Sequence, residues 1–158
     1  MGQATTCRGA NFKSRGGGLA CDVSTPRAGH AYGLRALGPA HYGPGTYAPG
    51  TNERGGLGQA GPDLLQEMER LGIILDVTHL SDESFDESMD IFGGTVWASH
   101  CNCRALVPGD RQLSDPGTQA GDRARGVIGA ALDAWMLIPD WERGVTTPRR
   151  PASRSPRG

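Results

Sequence analysis

The sequence has no apolar run long enough to span a membrane, and its first residues lack the apolar segment of a secretory signal. We therefore expect a cytoplasmic protein with no membrane span and no nucleic-acid partner. Four cysteines are present, but a chain of the cytosol gives no reason to pair them in disulfides. These absences argue against a membrane-embedded protein and against a small secreted scaffold held by disulfides.

The chain is also short of residues for a large closed fold. Its 158 residues fall well below the roughly 250 of an eight-stranded α/β barrel. Hydrophobic residues make up only 37%, while glycine and proline number 25 and 11, so we expect only part of the chain to build a core.

Charge and composition divide the chain into three parts. Residues 34–143 carry 16 acidic and 8 basic side chains, whereas both ends are basic. Residues 1–33 show no periodicity and contain the breaker RGGGLA, so we predict that they are unstructured. Residues 148–158 are rich in proline, arginine and serine and are predicted to form a disordered tail. The folded domain is expected within residues 34–147.

Helices and strands alternate in the middle of the chain. Pro62 and Gly72 suit the two ends of a helix with one apolar stripe, and Ser81 suits the cap of the next helix. The segments IILDVTH and TVWASH follow these patterns as buried strands, and GVIGAALDAWML contains another. An earlier short strand is expected in LRALGPAHYG. Strands separated by single helices with short links predict an α/β protein with a parallel sheet.

Two consecutive predicted strands end in a histidine, His79 and His100. Because the carboxyl ends of parallel strands meet at one edge of a sheet, these side chains can converge within metal-binding distance. Neutral imidazole is a standard zinc ligand. The alternative is that each histidine only makes hydrogen bonds at the mouth of a loop. The sequence alone leaves both interpretations open.

The segments LGIILDVTHLSDESF and ASHCNCRALVPGDRQLSD, preceded by GLRALGPAHYG and followed by GVIGAALDAWML, resemble the membrane (renal-type) dipeptidase family, the M19 zinc metallopeptidases. The resemblance covers about residues 33–147. It implies a (β/α)₈ barrel of the metallo-dependent hydrolase type that hydrolyses dipeptides with two zinc ions. Here it predicts an incomplete barrel, about four strands of eight, with disordered ends. By family analogy the chain could also form a homodimer.

The resemblance assigns roles to four residues. His79 matches the histidine of the D-x-[ST]-H segment and His100 that of the S-H-S motif, and both are ligands of one zinc ion in the family. His41 matches a catalytic histidine that contacts the substrate and its tetrahedral intermediate. Arg111 matches an arginine that binds the substrate carboxylate, which suits a guanidinium. Without the resemblance, Arg111 would be interpreted as a solvated loop residue.

Cys101 and Cys103 suggest another ligand pair beside His100. Their C-x-C spacing is tight for a structural zinc site and no second cysteine pair follows, so we do not expect them to bind metal.

The sequence also departs from the family pattern. The H-x-D ligand pair is absent, residues 1–33 contain no glutamate to bridge two ions, and the late aspartate ligand has no match. We therefore expect at most one zinc ion and weak or no activity. Two alternatives remain: a non-catalytic fragment that binds one metal ion weakly, and a small α/β binding module. A reading-frame shift near residues 116–126, where Pro116 and Gly117 disfavour the family's helix, is a further hypothesis.

Overall fold

Four short parallel strands form a single sheet in the computed structural model, which describes residues 24–117 and 126–145. Strands that follow one another in the chain are also neighbours in the sheet, in the order β1-β2-β3-β4. The strands are β1 (Ala36–Leu37), β2 (Ile74–Asp76), β3 (Val96–Ala98) and β4 (Val127–Ile128). The helices are α1 (Ser24–Ala31), α2 (Gly61–Leu71), α3 (Asp82–Ile91) and α4 (Ala134–Leu137). The predicted α/β class and parallel sheet are confirmed.

The helices α2 and α3 are the crossovers between consecutive strands, as parallel pairing requires. Leu75 of β2 lies opposite Leu37 of β1 and Val96 of β3. Leu75, Val96 and Ala98 are buried in the core that the helices cover, whereas Asp76 and Trp97 alternate with them and are half-buried. One face of the sheet is therefore packed apolar core, whereas the other, which carries Ile74, Asp76 and Trp97, is only half-buried.

Helix α2 has the ends and the apolar stripe that the sequence predicts. Leu64, Leu65 and Met68 are buried, and Leu71 packs against the same core. Gly72 ends the helix in the left-handed region at φ 66°, where a residue without Cβ has no steric penalty.

Helix α3 begins at the predicted cap. The Ser84 amide donates to Ser81 Oγ at 3.1 Å, and the Ser81 hydroxyl donates to the Gly55 carbonyl at 2.7 Å. Ser81 therefore caps the helix and also ties it to the preceding loop.

The prediction that residues 1–33 are unstructured is wrong for residues 24–31, which form α1. This helix packs on α2, Pro26 is buried in its first turn, and Arg27 pairs with Glu67 of α2. The local sequence has no apolar stripe that would predict this helix. Its stability comes from contacts with distant residues, which sequence periodicity does not record. Residues 1–23 and the predicted tail at 148–158 lie outside the described residues, so disorder there stays a prediction.

The glycine- and proline-rich segment 44–60 has an irregular backbone, yet it is not a solvated loop. Tyr47 and Ala48 are buried in the core, and the Gly58 amide donates to the Tyr47 carbonyl at 2.9 Å. The segment therefore forms one wall above the carboxyl edge of β1 and β2.

Residues 115–117 are helical, so Pro116 lies in a first turn where proline is tolerated, while 118–125 fall outside the described part. Within residues 24–117 and 126–145, none of the helices has the length and apolar content needed to cross a membrane.

The ion pairs of Glu67 should make the free energy of unfolding depend on pH. Hydrogen bonds from Arg70 and then Arg27 lower the pKa of Glu67 from 4.5 to about 2. A carboxylate with a lowered folded-state pKa stabilises the fold above the unfolded-state pKa, and this contribution is lost as pH falls from about 4.5 toward 2. Urea unfolding should show wild type more stable than Glu67→Gln at pH 7, with the difference shrinking by pH 3. The exposed Asp86→Asn is the control, and a difference independent of pH would contradict the assignment.

Candidate active site

Three histidines lie together at the carboxyl edge of the sheet. His41 follows β1, His79 follows β2 and His100 follows β3. The ring centroid of His79 lies 4.4 Å from that of His41 and 5.3 Å from that of His100. His79 is therefore the centre of the cluster, with one histidine on each side. The structure brings His79 and His100 together as expected at the sequence level, while their role as metal ligands stays a prediction.

His79 is the buried member of the cluster and has a φ of 74°, in the left-handed region. Its Nδ1 lies 2.9 Å from Thr51 Oγ1. Burial, followed by the positive charges of Arg111, His41 and His100, lowers the pKa of His79 to about 3. The imidazole is therefore neutral at neutral pH, which is the form that binds metals.

His100 is exposed, and its Nδ1 lies 2.7 Å from the hydroxyl of the preceding Ser99. A hydroxyl oxygen thus meets Nδ1 in both His79 and His100. The metal-ligating nitrogen would then be Nε2 in each ring, with Nδ1 oriented by its oxygen partner, the arrangement usual for metal-bound histidine.

Thr51 reaches the cluster from the wall segment 44–60. Its amide donates to the His41 carbonyl at 2.9 Å while its hydroxyl contacts His79. The backbone here is so close that a Cβ on Gly50 would lie 1.8 Å from the His41 carbonyl oxygen. Gly50 is therefore required for Thr51 to hold the loops of β1 and β2 together.

Tyr42 is a fourth ring in the cluster. Its centroid lies 5.0 Å from His79 and 5.1 Å from His41, in edge-on arrangements. Sequence reasoning missed both Tyr42 and Thr51. The adjacency of Tyr42 to His41 was the only available signal, and Thr51 lies in a segment without any periodicity.

Arg111 is buried, so the interpretation as a solvated loop arginine is wrong. Its guanidinium donates to the His100 carbonyl at 2.7 Å and contacts Cys101 Sγ at 3.4 Å. Arg111 and His79 line one small cleft together with Asp82, Phe85 and Asp110. The cleft therefore offers a fixed positive charge beside the histidine cluster, while a role in binding a substrate carboxylate stays a prediction.

The two cysteines that flank Asn102 have different surroundings. Cys101 is buried with its thiol 3.8 Å from Thr78 Oγ1, and Cys103 Sγ lies 3.6 Å from Asp115 Oδ1. Among residues 24–117 and 126–145, no group of three or more His, Cys, Asp or Glu side chains is placed to hold a metal ion. The described histidines of the cluster are thus not arranged as a complete set of metal ligands.

Asp76 is a third residue that sequence reasoning missed, after Tyr42 and Thr51. One carboxylate oxygen of Asp76, Oδ1, accepts the amide hydrogens of Thr78 and Ser99, each at 3.1 Å. Its position three residues before His79, at the last position of β2, was a signal that could have identified it. A carboxylate at the end of a strand thus links the two loops that carry His79 and His100.

Comparison with known proteins identifies chains of similar sequence and fold. The profile of the family Membrane dipeptidase (Peptidase family M19) matches residues 15–147. The chain is 31% identical over 90 residues to dipeptidase tcpJ of Claviceps purpurea, covering 57% of this chain and 21% of that protein. The match to the family begins earlier than the resemblance near residue 33 suggested.

Solved structures of the same kind share the fold. A metallopeptidase from Rhodobacter sphaeroides, crystallised with a phosphinate mimic of the dipeptide L-Ala-D-Ala, is 32% identical with a TM-score of 0.64, covering 67% of this chain and 32% of that one. The probable dipeptidase PvdM of Pseudomonas aeruginosa is 29% identical with a TM-score of 0.67, covering 71% and 30%. The chain thus spans about a third of the length of the solved structures it matches. Its four-stranded parallel sheet is part of the (β/α)₈ barrel of these M19 peptidases.

The close approach at Gly50 predicts a large effect of adding one methyl group. Gly50→Ala should destabilise the fold by about 2 kcal/mol or more, because the new Cβ collides with backbone that cannot move without displacing Thr51 and His41. Gly93→Ala is the matched control, since its Cβ would meet only the end of the exposed Glu69 side chain, at 3.0 Å, and no backbone. Urea unfolding measures both, and equal effects of the two substitutions would contradict the packing at Gly50.

Proposed function

Since this chain belongs to the membrane dipeptidase family, peptidase family M19, we propose that its histidine cluster is the metal site of a zinc-dependent dipeptidase. The observation that carries the proposal is the convergence of His79 and His100, whose ring centroids lie 5.3 Å apart. Both residues follow neighbouring parallel strands, at the edge where barrel enzymes place their active sites. The substrate would be a small dipeptide.

The chemistry of the two histidines fits part of a zinc site. His79 is held neutral, and in both rings a hydroxyl oxygen orients Nδ1, so that Nε2 of each would be the ligand. When bound, zinc lowers the pKa of a water molecule to near neutrality and polarises the carbonyl that this water attacks. Thr51 and Ser99 would keep the two imidazoles in the orientation that ligation requires.

The residues around the pair suit the binding of a dipeptide. Arg111 donates only some of its five N–H groups to the His100 carbonyl, and a guanidinium pairs well with a carboxylate. It would bind the carboxylate of the substrate and so orient the scissile bond. The exposed ring of His41, 4.4 Å from that of His79, would donate a hydrogen bond to the oxyanion as it forms.

The described side chains do not form a complete hydrolytic site, which supports weak or absent activity of the 158-residue chain. Zinc sites that hydrolyse peptides commonly combine histidines with carboxylates. Two histidines without a carboxylate would hold one ion weakly. A non-catalytic fragment that binds one metal ion is therefore the second candidate, and it is favoured by the same absence.

A chimera with a related enzyme can test whether the histidine site supports catalysis even if the 158-residue chain alone is inactive. With zinc and L-Ala-D-Ala, the purified chain should hydrolyse little substrate above a blank with zinc alone. A chimera in which residues 34–147 replace the matching segment of the Rhodobacter sphaeroides metallopeptidase should be active, because the relative supplies the other ligands. In this chimera, His79→Ala should lower kcat/KM by about 100-fold or more, since loss of a residue that only orients a ligand already costs 10–100-fold.

Two further substitutions in the chimera test the other roles. Arg111→Lys should mainly raise KM, because a lysine cannot bind a carboxylate with two parallel hydrogen bonds. Cys103→Ser should leave kcat/KM unchanged, since its thiol contacts Asp115 and not the cluster. An inactive but folded and zinc-loaded chimera would count against the dipeptidase proposal. Zinc-dependent hydrolysis by the 158-residue chain itself, abolished by His79→Ala, would show that two histidines suffice.

A further inference from the structure

One carboxylate joins the two histidine loops at their base. Asp76 Oδ1 accepts the amide hydrogens of Thr78 and Ser99, the residues immediately before His79 and His100. We infer that Asp76 is a positioning residue that sets the separation of the two histidines, an inference that rests on the proposed function of their site. Asp76 would act through the backbone of both loops without touching metal or substrate.

The backbone hydrogen bonds between β2 and β3 end next to the Asp76 carboxylate, which forms the next contact between the two chain segments. The Val77 amide donates to the Trp97 carbonyl at 2.9 Å, and after this bond the pairing of β2 with β3 stops. On the β2 side, the Thr78 amide bonds the side chain two residues earlier, which is an Asx-turn. On the β3 side, the same oxygen takes the Ser99 amide across the strands. Asp76 therefore extends the contact between the strands by one step beyond their ladder.

Hydroxyl groups continue the connection from Asp76 up to the rings. Thr78 Oγ1 lies 3.3 Å from Ser99 Oγ and accepts the His100 amide at 3.4 Å. Ser99 Oγ in turn lies 2.7 Å from His100 Nδ1. The distance between the loops at Asp76 is thus transmitted to the His100 ring through two longer contacts of Thr78 and one short contact between Ser99 and His100.

The conformation of His79 makes this anchor necessary. A φ of 74° is unfavourable for a residue with a Cβ and persists only where neighbouring contacts hold it. The Asx-turn at Asp76 fixes the backbone just before His79, and the contact with Thr51 fixes its ring. Without Asp76 the turn can relax, and the His79 ring would then rotate away from that of His100.

The first arm of the test uses the metal-free 158-residue chain. In Asp76→Ala, NMR should show amide exchange at Thr78 and Ser99 faster by at least about tenfold relative to the core amides, since each has lost its acceptor. The contacts between the His79 and His100 ring protons should weaken or vanish. Asp76→Asn keeps an accepting Oδ1 and should restore both observations. Asp86→Ala, an exposed aspartate of α3, should change neither.

The second arm measures zinc binding by calorimetry. Asp76→Ala should weaken the affinity for Zn²⁺ by about 10–100-fold, as for other residues that orient metal ligands, and Asp76→Asn by much less. Leu71→Ala is the control for a loss of stability alone, because it removes core packing at the opposite end of the sheet from the histidines. At a similar loss of stability, it should leave zinc affinity within about threefold of wild type.

If Asp76→Ala does not fold, Asp76→Glu replaces it, since the added methylene displaces the carboxylate while keeping its charge. Unchanged ring contacts and unchanged amide exchange at Ser99 in a folded Asp76→Ala or Asp76→Glu chain would overturn the inference. So would equal weakening of zinc binding by Leu71→Ala. Failure of wild type to bind zinc would instead count against the proposed function, and the metal-free arm would still decide the role of Asp76.

Discussion

Parallel pairing of β1, β2 and β3 is the constraint on which the rest of the structure depends. Parallel neighbours cannot be joined by a tight turn, so each pair requires a crossover helix, here α2 and α3. These helices bury Leu75, Val96 and Ala98 beneath them and so account for the core. The same pairing turns every strand in one direction, which brings His41, His79 and His100 to one edge. Core and candidate site are therefore two consequences of a single arrangement.

Beyond the strands, the loops are joined by side-chain hydrogen bonds together with an isolated backbone bridge between Tyr42 and Thr51. Asp76 connects the loops after β2 and β3, and Thr51 connects those after β1 and β2. Asp76 does so by accepting two backbone amides, whereas Thr51 donates its own amide to the His41 carbonyl and contacts the His79 ring with its hydroxyl. The cluster is thus held from both sides at its central histidine.

Sequence reasoning reached the elements that carry their own pattern and missed those made by distant contacts. The stripe of α2 and the cap at Ser81 are local features, and both were identified correctly. The two strands were identified as well, but β2 ends at Asp76 and β3 at Ala98, before the ends predicted at His79 and His100. Helix α1 was missed because its stability comes from packing on α2. Thr51 was missed because a hydrogen bond to a distant residue leaves no periodicity. Asp76 had a local signal in its place before His79, and only its bond to Ser99 left none. The burial of Arg111 likewise depends on how the loop after β3 folds back, which spacing does not specify.

The left-handed backbone at His79 shows why the cluster would be in place before any ligand arrives. Such a conformation costs about 1–3 kcal/mol for a residue with a Cβ, more than the roughly 1 kcal/mol of the single hydrogen bond to Thr51. The remainder has to come from the burial of Val77 and Leu80 on either side and from the Asx-turn at Asp76. These contacts exist in the protein alone, so they orient the His79 ring without help from a metal ion. A ligand would then meet an imidazole already fixed in place, and its binding free energy would not be reduced by the work of arranging it.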